Sequence, residues 1–223
     1  MANGRYRWYD AEGNVYADLT VDEGLRRGLY PSVTTILDLV RRPDLDRWRE
    51  EQLIRAAAET KREEYRDEVL WMSAVRYRAD AISREARDRG LRWHHELRGK
   101  IAIRLKRQGY DDIMWGVRYV DAEWGYAGEL DGLARVGTVT DVIELKTTHR
   151  ETQIIFDESV LQVAAYVMLS KSRRGIILVI GPEQNVIGER IIEDAELDIA
   201  ERAFLSLLDV WWWLMNRRKE RGL

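Results

Sequence analysis

Apolar positions change their spacing several times along the chain, and each change predicts a different element. From about residue 44 to residue 108 they recur every three or four residues among Arg, Glu, Ala and Leu, with no proline after Pro43. That spacing predicts helix, and Gly90 predicts a helix boundary inside the run. Near Ile113 the texture turns to strand. Residues 115–120, 126–136 and 139–147 predict three strands, the last two joined by a tight turn at Gly137. A helix over 152–170, a buried strand at 176–180, a turn at 181–185, a pairing strand at 186–192 and a helix over 195–218 complete the chain. At the other end, residues 5–9 and 14–16 predict a hairpin around Asp10-Ala11-Glu12-Gly13. Residues 30–37 predict an extended lead-in to a helix with Ser32 as its N-cap.

The order is helices, three strands, helix, strand pair, helix. It predicts a mixed α/β fold, a central mixed sheet flanked by helices with a helical N-terminal region. At 223 residues one domain is expected over 1–223, residues 1–110 mainly helical and 111–223 the catalytic α/β core. Repeats, low-complexity stretches and a Ser/Gly/Pro linker are absent from the sequence. A hydrophobic share of 45% with 34% charged residues suits a soluble globular protein. No stretch approaches the roughly 18 apolar residues a membrane helix needs, and the first residues lack a signal-peptide core, so a cytoplasmic protein with no membrane partner is expected.

The chain has no cysteine, which excludes disulfides, thiolate-held zinc and cysteine-ligated clusters. A metal would therefore rest on carboxylates and on His94, His95 or His149, a donor set that favours Mg²⁺ or Mn²⁺. The net charge of −3 does not decide for or against a phosphate-rich partner, because a carboxylate metal site is itself acidic.

The chemistry concentrates in Gly128-Glu129-Leu130-Asp131 and Ile143-Glu144-Leu145-Lys146. On a strand Glu144 and Lys146 share a face while Ile143 and Leu145 turn to the core. The short connection makes the two strands antiparallel neighbours and can bring Asp131 beside Glu144. Two carboxylates and an ammonium so placed suit phosphodiester hydrolysis. By themselves, an Asp and a Glu-x-Lys on a hairpin are more often a solvated cross-strand charge pair.

Residues 125–134 and 142–148 together resemble the core of the PD-(D/E)xK nuclease superfamily, in its RecB-like exonuclease branch. Gly90-Leu91-Arg92-Trp93-His94 resembles the upstream G-x-x-x-H element of that branch, and Gln162-Val163-Ala164-Ala165-Tyr166 its downstream Q-x-x-x-Y element. Residues 30–37, with Leu45 and Trp48, are similar to the start of phage exonucleases and of the mitochondrial genome maintenance exonuclease. The matched elements span residues 30–166. The resemblance implies a restriction-endonuclease-like core with Asp131, Glu144 and Lys146 catalytic. It implies Mg²⁺ or Mn²⁺ held by His94, Asp131, Glu144 and the Leu145 carbonyl, and Gln162 and Tyr166 beside the substrate strand or supporting Lys146. The substrate it implies is DNA, as single strands or ends, in replication, recombination or repair. A structure-specific endonuclease and a silent DNA-binding or interaction module are the alternatives. His95 would point about 100° from His94 around a helix and is the lesser choice, and His149 is expected to be incidental. Cluster-bearing branches carry four cysteines, so this chain belongs with the cluster-free ones, a build that suits a phage protein.

Glu129 departs from the small or hydroxyl residue usual at that position. It either adds charge to the metal site or sits at its rim. Basic residues follow the His94 segment, with Arg92 and Arg98 the candidates for gripping phosphates and Lys100, Arg104, Lys106 and Arg107 beyond them. Trp211-Trp212-Trp213 would span about 200° of a helix. Core packing is the first reading, ahead of a base-stacking platform or a subunit interface.

Overall fold

In the computed structural model, residues 6–40, 43–65, 68–148, 155–183 and 185–220 are described, without the side chains of 43–49, 69–70, 86–87, 89–91 and 93–95. A five-stranded mixed sheet organises the largest part. Strands β4 (Asp112–Asp121), β5 (Tyr126–Val136) and β6 (Val139–Thr147) follow one another antiparallel. Helix α5 (Asp157–Ser170) then carries the chain back to β7 (Arg174–Ile180), which lies parallel to β6, and β8 (Val186–Ile192) closes the edge antiparallel. The order is β4-β5-β6-β7-β8.

Helices cover both faces. Helices α5 and α6 (Asp194–Glu220) pack on one, where Tyr126, Leu133, Val142 and Ile177 join Val163, Ala164, Val167, Phe204 and Trp211 in a single core. Gly175 makes this approach possible, because a Cβ there would sit 1.8 Å from Val163. The other face, with Ile143, Leu145, Ile176 and Leu178, is equally buried. The end of α4 (Glu68–Arg107) belongs to this side. Its Leu97, Ile101 and Leu105 are buried, and Arg104 pairs with Glu189, the cross-strand partner of Leu178, at 2.6 Å.

The N-terminal hairpin is present as β1 (Tyr6–Tyr9) and β2 (Val15–Leu19). After α1 (Val21–Arg26), strand β3 (Tyr30–Pro31) pairs with β1. Ser32 caps α2 (Val33–Leu37) by accepting from the Thr35 N–H, as its sequence predicts, and bridges to Ala127 of β5. The same segment is stapled to the core by Trp8, which packs on Trp211 at 6.0 Å between ring centroids. Trp8 also lies where a Cβ on Gly24 would collide at 2.3 Å. Trp211 is thus core, Trp212 is half-buried and Trp213 is exposed, a split that follows from their turn around the helix.

The chain divides into two compact units, one of residues 1–40 and 97–223, the other of residues 41–96. The second contains α3 (Pro43–Glu59), a short 3₁₀ turn at Arg62–Glu64 and the first part of α4. Ala56, Val75, Ala79 and Ile82 form its core, and the Trp71 Nε1–H donates to the Thr60 carbonyl at the end of α3.

Two sequence expectations need correction. The helical run breaks after Glu59, not at Gly90, through which the backbone of α4 continues. A glycine costs a helix only about 1 kcal/mol, too little to end one of 40 residues. Strand β4 also begins three residues earlier than predicted, because the Asp111 N–H already bonds the Arg135 carbonyl and Asp112 pairs with Arg135. Part of the span expected to open α5 lies outside the described residues. No described helix is long and apolar enough to cross a membrane.

Near the start of β6, the fully buried Asp141 accepts from Tyr110, Arg173 and Arg174. Burial works against its charge, but these donors outweigh it and hold its pKa below the ordinary carboxylate value. The stabilisation is therefore present above pH ~4 and fades as pH falls through the carboxylate range. Asp141→Asn is expected to lose about 2 kcal/mol at pH 7. In denaturant titrations the gap to the wild type should close as the pH drops below about 4.

Candidate active site

The site begins where one strand pair stops. Pairing of β5 with β6 runs from Val136↔Val139 to Gly132↔Ile143 and ends there. Beyond it the two strands part, β5 continuing along β4 and β6 along β7. Asp131 and Glu144 are the next residues in register, so they face each other across the opening of a fork. One carboxylate oxygen of Asp131 accepts the Leu145 N–H at 2.8 Å, supplying in place of a backbone carbonyl the partner this amide needs.

On β6 the alternation predicted from Glu144-Leu145-Lys146 holds. Leu145 is buried in the core, while the Lys146 ammonium donates to Glu144 Oε1 at 2.8 Å. The same ammonium donates to Gln162 Oε1 at 2.7 Å, and the Gln162 amide donates to the Tyr166 hydroxyl at 3.1 Å. Gln162 and Tyr166 therefore border the site, one helical turn apart on α5. Lys146 is fixed from two elements, the strand that carries it and the helix above. A glycine makes that seat: a Cβ on Gly128 would come within 2.6 Å of the Tyr166 ring.

The electrostatics are those of acids withdrawn from water. Desolvation raises the Asp131 pKa, with Glu129 adding to it, against the pull of the Leu145 N–H, Lys146 and Arg98. Glu144 is buried to 4% exposure. Desolvation, and next the Glu144 charge, push the Tyr166 hydroxyl well above its usual value, so it stays protonated. Arg98 lies over the Trp115 ring at 5.6 Å and close enough to Asp131 to be felt there. Among the described residues, its buried Nε–H has no hydrogen-bond partner.

Other expected members are placed differently. Arg92 is exposed on α4, in the unit of residues 41–96. The side chains of His94 and His95, and the whole of His149, lie outside the described residues. Among the described residues, no three His, Asp or Glu side chains gather in a metal-binding cluster. Oxygens of Asp131, of Glu144 and of the Leu145 carbonyl are the donors the fork offers to a cation. In an extended strand a residue's N–H and C=O leave by the same edge, so that carbonyl turns toward β5 with the amide that Asp131 holds. Two desolvated carboxylates with hard oxygen donors fit Mg²⁺ or Mn²⁺.

Glu129 is ion-paired at the rim of the site. It is held by Arg118 at 2.9 Å and approached by Arg7 at 3.8 Å. Neither arginine stands out in the sequence. Arg118 is found only once the β4–β5 register, which sets it opposite Glu129, is known.

No protein-family profile and no curated protein matches the sequence. Among solved structures, the crystal structure of SSO0001 is similar over 83% of this chain and 75% of its own, with 21% identity and a TM-score of 0.42. An alkaline exonuclease (LHK-Exo) from Laribacter hongkongensis is similar over 58% of this chain and 73% of its own, with 16% identity and a TM-score of 0.36. At these scores neither likeness decides what the chain does.

The close approach of Gly128 to Tyr166 gives a direct test of how the site is supported. Gly128→Ala is expected to cost about 1–3 kcal/mol of stability by overpacking. Gly99→Ala, on a helix with open space around its Cβ, should gain up to about 1 kcal/mol. Chemical denaturation of both variants checks the pair.

Proposed function

We propose that this protein is a nuclease of the PD-(D/E)xK type that requires Mg²⁺ or Mn²⁺. Its substrate is DNA, most directly an exonuclease's single strands or ends, in replication, recombination or repair. The observation that carries the reading is Lys146, held between Glu144 and Gln162 at the mouth of a fork whose other wall presents Asp131.

In this reading Asp131, Glu144 and the Leu145 carbonyl hold the ion. The bound ion would polarise a phosphoryl oxygen and acidify a water molecule. The chain's own groups do the remaining work. Lys146, fixed at its ammonium by two acceptors, orients the attacking water and offsets the negative charge that builds on the phosphate. Gln162 holds Lys146 in place, and the protonated Tyr166 hydroxyl holds Gln162. Arg98, half-buried and close enough to Asp131 to be felt there, grips the substrate backbone.

The test uses end-labelled linear and circular single-stranded DNA with Mg²⁺, Mn²⁺ or EDTA. Metal-dependent loss of the linear strand from its ends is expected. Lys146→Ala, Asp131→Ala and Glu144→Ala should each lower the rate by about 10²–10⁴-fold. Cleavage of the circle would make the protein an endonuclease, and no metal-dependent cleavage of either substrate would refute the reading.

A further inference from the structure

Two arginines beside the fork have no task in the chemistry above. Arg118 on β4 donates from Nε to Glu129 Oε2, and Arg7 on β1 approaches the same oxygen at 3.8 Å. Their side chains are 48% and 52% exposed. Two cations that share one carboxylate leave an uncompensated positive charge facing solvent. Half-exposed ion pairs of this kind add little to stability, so stability is a poor reason for the arrangement.

The cluster is nevertheless held in place. The Arg7 backbone carbonyl accepts from the Ser32 N–H and the Thr35 hydroxyl. Those bonds pin β1 beside β5, where Ser32 bridges to Ala127. Arg118 spends its Nε–H on Glu129, and no described residue accepts from its two terminal nitrogens. A guanidinium oriented through one edge and open at the other presents the paired donors that fit a phosphate.

The position is also informative. Glu129 precedes Asp131 by two residues, about 7 Å along a strand, the scale of one nucleotide of an extended single strand. We propose that Arg7 and Arg118, oriented by Glu129, grip the phosphodiester one step away from the one cleaved, so that the site engages a single strand through two consecutive phosphates. This rests on the nuclease reading. Glu129 serves as the internal counter-charge that keeps the arginines in position when no strand is bound.

The test measures fluorescence anisotropy of a labelled single-stranded oligonucleotide in EDTA over a potassium chloride series, alongside cleavage kinetics with Mn²⁺. Arg118→Ala and Arg7→Ala should each weaken binding about 3- to 10-fold, with the salt slope of log Kd falling by about 0.7 for each phosphate no longer gripped. In cleavage, KM should rise with kcat nearly unchanged, the mark of binding shared by ground and transition states. Arg135→Ala, at the far end of β5 and paired with Asp112, should match the wild type in slope and KM. Wild-type affinity and slope in both test variants, or an equal loss in Arg135→Ala, would overturn the proposal while wild-type cleavage left the nuclease reading standing. Wild-type protein that neither binds nor cleaves would remove the nuclease reading itself.

Discussion

The bond from the Leu145 amide to the Asp131 carboxylate is the constraint on which the rest of the site depends. An amide at the opening of a sheet must find an acceptor or lose about 1–3 kcal/mol, and here a side chain takes the place of a strand. That substitution lets β5 and β6 part while their last amide stays satisfied. The parting faces Asp131 toward Glu144. Strand β6 is thus fixed near one end and open at the other. Asp141 anchors the closed end through Tyr110, Arg173 and Arg174, and the Glu144–Lys146 pair stands at the open one.

The same arrangement explains why the acids are uncomfortable. Two carboxylates face one another, Glu144 buried and Asp131 half-buried, and desolvation pushes Asp131 toward its neutral form. A purely structural hairpin would gain nothing from this. Lys146 offsets part of the charge, and its ammonium is shared with the neutral Gln162 amide. Desolvation makes an incoming charge count for more than it would in water, which suits a divalent ion.

Much of this was legible in the sequence, because it depends on short-range periodicity. Alternation in Glu144-Leu145-Lys146 placed a carboxylate and an ammonium together, and the Gly137 turn predicted the antiparallel pair that faces Asp131 to Glu144. Four-residue spacing put Gln162 and Tyr166 on one helical face. The split among Trp211, Trp212 and Trp213 followed from helix geometry. What stayed hidden depends on register and on chain crossings. Arg118 opposite Glu129, Arg7 brought over from the N-terminal hairpin, and Gly128 as the seat of Tyr166 all require knowing which elements meet. Gly90 misled for a different reason: a glycine's local penalty was read as a boundary in a helix long enough to absorb it.

The divalent-ion site proposed for the fork between β5 and β6 is tested most directly by unfolding free energy against Mn²⁺ concentration. Wild-type protein should gain about 2.7 kcal/mol at 100 times the dissociation constant, and Glu144→Gln should lose most of that gain while remaining folded. Stability independent of Mn²⁺, or an equal gain in wild type and Glu144→Gln, would contradict the account.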